Sequence, residues 1–252
     1  MVRRCVATIE ARMNSSRLPG KILRPILGKP TLEHLVERVR RSKLVNEVVV
    51  ATTVSPQDDA VEVWAKKAGI AIFRGSEEDV LLRVLEAQRA YKGDVIVELT
   101  GDCPLLDPQI IDQVLKYYLD HDTDYVSNSK ERSYPLGFDV KIFSREALEE
   151  VHRISQDPAD REHVSLYLYE HPEKFTVHTI MAPPELHRPQ YRICVDTLDD
   201  FTAAESIFKA LYPKKPDFNA YDIVHYLDTH PEVVALNAAV QQRAARPGNP
   251  AR

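Results

Sequence analysis

Short apolar runs rich in β-branched residues alternate with amphipathic stretches through the first half of the chain, and few folds accommodate that rhythm. It predicts strands at Cys5–Ile9, Glu47–Thr52, Ile70–Phe73 and Asp94–Leu99. Between and after them it predicts helices at Thr31–Ser42, Pro56–Ala68, Glu78–Tyr91 and Pro108–Asp120. Leu32, Leu35, Val36 and Val39 share one helical face, as do Ala60, Val61, Trp64 and Ala65. Thr31 is placed to cap the first helix, and Asp107-Pro108 opens the fourth with a cap and a first-turn proline. A helix after each strand forces parallel crossovers, so the expectation is an α/β fold: a mainly parallel sheet covered by helices on both faces.

After Tyr125 the rhythm changes. Strands are expected at Tyr125–Ser127, Phe138–Phe143, Phe175–Ile180 and Tyr191–Val195, with helices at Arg145–Ile154, Arg161–Tyr169 and Leu198–Leu211. Residues 128–186 read as an antiparallel insertion or arm on the parallel sheet. With 252 residues, 44% hydrophobic, the chain can bury one large core, so 1–242 is read as a single domain followed by a disordered tail, 243–252.

The formal charge of −5 supplies no general field for a nucleic-acid backbone. Cys5, Cys103 and Cys194 are too scattered for a disulfide framework and read as buried thiols. The apolar run after Arg3-Arg4 stops at Glu10, well short of the roughly 7–15 residues of a signal core. No stretch approaches the roughly 20 apolar residues of a membrane span. A cytoplasmic enzyme is expected, with neither membrane nor nucleic acid as partner.

In a parallel α/β sheet the loop leaving the first strand is a favoured ligand site. Here that loop is Ala11-Arg12-Met13-Asn14-Ser15-Ser16-Arg17-Leu18-Pro19-Gly20-Lys21. It concentrates three cations, two hydroxyls and a glycine, the means of holding a polyphosphate. Thr100-Gly101-Asp102-Cys103-Pro104 closes the fourth strand with an acid at its tip, and Cys194-Val195-Asp196-Thr197 repeats the arrangement. Two such carboxylates on neighbouring tips suit a divalent cation, although Asp196 could instead cap the following helix. Phe73-Arg74-Gly75-Ser76 forms a turn at the same sheet edge, where it could lie along a nucleobase or, through Ser76, cap a helix. Asp160-Arg161-Glu162-His163-Val164, with Asn128 and Asp139 upstream, offers polar groups to a second substrate, Arg161 being a candidate anion clamp.

Together these segments, in order and over about residues 4–212, resemble the cytidylyltransferases that activate acidic sugars, the acylneuraminate and deoxy-octulosonate enzymes. Within that family the chain looks most like the spore-coat-polysaccharide branch. The resemblance implies a Rossmann-like nucleotide-diphospho-sugar transferase fold, a three-layer sandwich that dimerises through the insertion. It implies transfer of CMP from CTP to an acidic acceptor such as a nonulosonic acid, with Mg²⁺ as cofactor and pyrophosphate released, to make precursors of surface polysaccharide. By the same resemblance Ala11, Arg12, Ser15, Ser16, Lys21, Thr100 and Gly101 hold the nucleotide, Arg74, Gly75 and Ser76 lie near cytosine, and Asp102 and Asp196 bind the metal. Arg12, Lys21 and Asp102 are the expected catalytic groups, and Asn128, Asp139, Arg161, Glu162 and His163 the expected acceptor contacts.

Two positions depart from the pattern. Glu10 stands where this branch has glutamine and the sugar-acid enzymes proline, and an ionised acid there would repel a phosphate. Asp196 is single where some sialic-acid enzymes carry two close acids. Three other readings remain open: a phosphonate or other small acid as acceptor, a non-catalytic nucleotide-binding homologue, and a glycosyltransferase using Asp120-His121-Asp122 or Asp122-Thr123-Asp124.

Overall fold

The computed structural model describes residues 3–246. Four strands follow the sequence rhythm: β1 (Cys5–Glu10), β4 (Glu47–Thr53), β5 (Ala71–Gly75) and β6 (Val95–Thr100). A two-stranded hairpin, β2 (Pro25–Ile26) and β3 (Lys29–Pro30), interrupts the β1–β4 crossover. Then come β7 (Tyr125–Ser127), β8 (Lys141–Ser144) and β9 (Val177–Thr179). Seven strands form one sheet in the order β5-β4-β1-β6-β8-β7-β9. The first four in that row are mutually parallel, and β8 alone runs against its neighbours β6 and β7. Residues 128–186 thus contribute β8 and β9 to the main sheet.

Alternation along β1 divides the interior in two. Cys5, Ala7 and Ile9 enter the larger core with α1 (Thr31–Val39), α2 (Asp59–Lys67), α4 (Pro108–Asp120), α8 (Leu198–Leu211) and α9 (Ala220–Thr229). Val6 faces the opposite side, where α3 (Val80–Ala90), α5 (Arg145–Ile154) and α7 (Leu166–Glu170) cover the sheet. Helices on both faces of a mainly parallel sheet are the expected α/β architecture. Among the described residues no helix is long and apolar enough to cross a membrane.

Several local expectations are corrected. Thr31 does not cap α1; Pro30 occupies the cap, and the Thr31 hydroxyl donates to the carbonyls of Lys21 and Ile22 at 2.7 and 2.9 Å. The helix foreseen over 161–169 splits into α6 (Pro158–Glu162) and α7, because Val164 turns into the left-handed region at φ 39°. Residues 191–195 make a single bridge, Leu136 to Arg192, in place of a strand. The foreseen strand 138–143 is shifted to 141–144, and residues 56–58 are a 3₁₀ turn ahead of α2. The rhythm read from sequence ends at Leu211, whereas the chain continues through α9 and α10 (Pro231–Ala235).

Strand order places the site. The chain steps outward from β1 to β4 to β5, then returns to the other side of β1 with β6. The crevice beyond the carboxyl ends of β1 and β6 is therefore the topological switch point, where open α/β sheets bind ligands.

Candidate active site

The loops leaving β1 and β6 are held against each other by backbone. Gly101 N–H donates to the Glu10 carbonyl at 2.8 Å, and a Cβ at Gly101 would stand 2.8 Å from that same oxygen. Only glycine permits this approach. The 11–21 loop is folded by Gly20 N–H donating to the Met13 carbonyl at 2.9 Å, with Gly20 itself at φ 71°. Asp58 accepts from Met13 N–H at 2.7 Å. The amides of Arg12, Asn14, Ser16 and Arg17 reach no acceptor among the described residues, so the loop presents donors outward.

Three chain-distant groups meet at this edge. Lys21 Nζ lies 3.0 Å from Asp102 Oδ2 and 2.8 Å from Asp196 Oδ1, with the Lys21 side chain only 11% exposed. Burial alone would lower the Lys21 pKa, but the two carboxylates raise it above the ordinary lysine value. Burial pushes Asp102 up, and Lys21 with the Thr100 hydroxyl, 2.6 Å away, more than reverses this to leave it below the usual range. Asp196 also receives Arg17 at 2.8 Å and Arg192 at 2.7 Å. Arg192 continues to Asp200 at 2.8 Å. Asp196 does not cap α8: Thr197 does, in a capping box with Asp200, which leaves Asp196 facing the lysine. The Val195 amide donates to the Asp102 carbonyl at 2.7 Å, fixing the two acids side by side.

Two cavities share this centre. One, of about 300 Å³, is lined by Ala11, Arg12, Ser15, Ser16 and Lys21 of the first loop, and by Thr100 and Gly101. The other, of about 240 Å³, is lined by Lys130, Arg132, Asp139 and Lys141 among others. Thr100, Asp102, His163, Asp196 and Arg243 line both. Burial lowers the His163 pKa, keeping its ring neutral near neutral pH, and the break after α6 places it on the seam.

Most of the expected residues converge here, and some do not. Glu162 lines the first cavity and Asp139, paired with Arg132, the second. Asn128 is fully buried, its side chain bonded to the Phe138 carbonyl and the Val140 amide at 2.8 Å each, away from both cavities. Arg161 is committed to Asp79 at 3.0 Å and to His152. Arg74, at the end of β5, is spent on Asp59, Glu62 and the carbonyls of Thr53 and Ser55. Gly75 and Ser76 likewise line neither cavity; they touch it through Arg83, whose guanidinium donates to the Ser76 carbonyl. Ser76 accepts from the Asp79 amide, and Asp79, not Ser76, caps α3.

Sequence reasoning missed Arg83, Arg192, Glu98, Lys141 and Arg243. Arg83 interrupts the apolar face Val80, Val84, Ala87 of α3, and Glu98 interrupts the apolar β6, both legible as charges at buried positions. Glu98 pairs with Lys141 across the β6–β8 register. Beside Glu98 lies Glu10, whose pKa burial, then the Glu98 charge, push up to about 8. Burial and Glu98 thus favour the protonated Glu10 carboxyl, the form that does not repel a phosphate.

A sequence model described as cytidylyltransferase matches residues 6–222. The chain belongs to the cytidylyltransferase family. The spore coat polysaccharide biosynthesis protein SpsF of Bacillus subtilis is 38% identical over 92% of this chain and 97% of its own. The structure of a cytidylyltransferase from Leptospira borgpetersenii is similar with a TM-score of 0.87 and 34% identity, over 92% of this chain and 97% of that one. A CMP:2-keto-3-deoxy-manno-octonic acid synthetase complexed with CTP shares the fold, at a TM-score of 0.61 and 21% identity over 82% and 99% of the two chains. This cytidylyltransferase carries its Asp-x-Asp segments at the other end of the molecule: Asp122 and Asp124 line a separate cavity with Arg3 and Val95, at the amino end of β6. That position removes the geometric support for a glycosyltransferase reading.

Proposed function

We propose that this cytidylyltransferase seats the triphosphate of CTP against the 11–21 loop and an anionic, hydroxylated acceptor in the adjoining cavity. The observation that carries the reading is the convergence of Lys21 on Asp102 and Asp196 where the two cavities meet. Arg12 lines the nucleotide side with no side-chain partner among the described residues, so its charge is available to phosphate. In the second cavity Arg132 and Lys141 are already paired, but the Lys130 ammonium is not, which favours an acid as acceptor. An acceptor hydroxyl entering from that side attacks the α-phosphorus in line, its proton passing to water, as the bond to pyrophosphate breaks and pyrophosphate departs toward the loop. The loop amides, Arg12 and Lys21 stabilise charge on the phosphates and the leaving group.

A divalent cation would be held by Asp102 and Asp196 in exchange for part of their present pairing with Lys21, Arg17 and Arg192. Asp102 and Asp196 offer hard oxygens around a space that a positive charge already fills. Among the described residues no cluster of three or more acids, histidines or cysteines could cage a metal alone, so phosphate and water would complete its ligands, as magnesium prefers. Bound there, the ion would neutralise charge on the triphosphate.

The test is pyrophosphate release with CTP, UTP, ATP and GTP across nonulosonic acids, deoxy-octulosonic acid and hydroxyalkyl phosphonates, with magnesium or with EDTA. Turnover is expected with CTP and an acid, and none with EDTA; preference for another nucleotide, or indifference to EDTA, refutes the reading. Asp102→Asn is expected to reduce turnover at least about a hundredfold in a variant that still folds, as circular dichroism checks. Wild-type turnover in that variant removes Asp102 from the catalytic group.

A further inference from the structure

The family match ends at residue 222, yet the chain returns to the site. After α10, residues 237–246 run without regular structure from the Asp200 side of the site to the α6–α7 side. The near end is tied by Asn237, buried, whose amide donates to the Arg192 carbonyl at 3.0 Å and to Asp200 at 2.8 Å. Arg192 reaches Gln242 at 2.8 Å, and Arg17 of the phosphate loop donates to the Gln241 carbonyl at 3.4 Å. The far end is tied by Arg246, which binds Asp157 at 2.8 Å, Asp160 at 2.6 Å and Glu170 at 2.8 Å. Three carboxylates from α6, its cap and α7 thus grip one guanidinium. Residues 243–246 belong to the tail expected from sequence to be disordered, yet charge-assisted bonds fasten the segment on both sides of Arg243; positions 247–252 lie outside the described residues.

Between these ties sits Arg243. Of the five residues that line both cavities it is the one cation at neutral pH, and its guanidinium has no hydrogen bond or ion pair among the described residues. Arg17, Lys21 and Arg192 are already engaged by acids. An uncompensated cation held over the seam lacks its counter-anion, and the reacting oxygens pass through that seam. We propose that residues 241–246 form a strap, fastened by Arg246, that holds Arg243 as a ligand for an anionic oxygen of the reacting pair. That oxygen belongs to the transferred phosphoryl group or to the acceptor's acid group. The inference rests on the reading that the two cavities hold nucleotide and acceptor.

Steady-state kinetics separate the possibilities, using CTP and whichever acid of the panel the wild type turns over fastest. Arg243→Ala is expected to lower kcat/KM about a hundredfold, and Arg243→Lys to recover part of it. A fall in kcat with the acceptor KM unchanged assigns the guanidinium to the phosphoryl oxygen; a rise in acceptor KM with kcat retained assigns it to the acceptor's acid. Arg246 lines neither cavity and acts through position. Arg246→Ala is therefore expected to reproduce the same loss in the wild type and to add nothing in the Arg243→Ala background. Arg243→Ala within twofold of wild type overturns the strap, as does an Arg246→Ala loss of equal size in both backgrounds. No pyrophosphate from wild type and CTP sinks the functional reading and the inference together, whereas full activity in Arg243→Ala sinks the inference alone.

Discussion

At the scale of single residues, Glu10 shows how much protonation depends on neighbours. An acid at the end of β1 is plain in the sequence, but its charge state depends first on burial and then on Glu98, and both arise only when β1 and β6 pair with Glu10 opposite Thr100. A neutral carboxyl resembles a carboxamide in shape and bonding, so a protonated Glu10 can serve as a glutamine would at this position. Its folded pKa, about 8, lies above the ordinary 4.5, so the folded state holds a proton that the unfolded chain loses. The resulting contribution to stability is fully present below 4.5 and declines as pH rises toward 8. Ionisation also brings a fresh negative charge to the wall of the cavity proposed to hold the triphosphate. CTP affinity of the wild type is expected to weaken as pH passes about 8, and Glu10→Gln to abolish that decline while binding CTP within about threefold of wild type at neutral pH. Calorimetric titration on both sides of that pH checks this; an equal decline in both proteins removes Glu10 as its source. Lys21 and Asp102 were legible because they lie in the loops that leave β1 and β6, and Asp196 because it closes the apolar run 193–195. Arg192 was not, because the strand expected over 191–195 gave no sign that its side chain meets Asp196 and Asp200.

At the scale of elements, the four parallel strands and the helices that follow them up to residue 120 were legible to within a few residues because each carries one period of hydrophobicity and a clear stop, whereas the hairpin β2–β3 was too short to show one. The second half was harder for identifiable reasons. Val164 breaks a continuous helical pattern by backbone conformation alone, which periodicity does not register. Helix α9, beyond the rhythm, does carry a signal, since Asn219 and Asp222 form a capping box before the apolar Ile223, Val224 and Leu227. The junction of the β1 and β6 tips is the element on which the site depends most. Gly101→Ala is expected to force the loops apart, costing about 1–3 kcal/mol of stability and about tenfold or more in turnover. Thermal denaturation and the pyrophosphate assay together check it; a variant unchanged in both shows that the tips tolerate separation.

Across the whole molecule, a net charge of −5 says nothing of where the charges lie. Cations from the 11–21 loop, α3 and the 241–246 strap gather at the carboxyl edge of the sheet. Asp122, Asp124 and Glu146 line the cavity at the amino edge of β6. A polyanion and a divalent cation therefore have one end of the molecule suited to them both. The composition concealed this, since only the strand order β4-β1-β6 brings positions 21, 102 and 196 together. The central claim is that convergence, and a crystal structure of the chain with CTP tests it most directly. The triphosphate is expected along residues 11–21, with the α-phosphate at the seam beside Asp102, Asp196 and Arg243. A triphosphate bound elsewhere, for instance beside Arg3 at the amino edge, contradicts it.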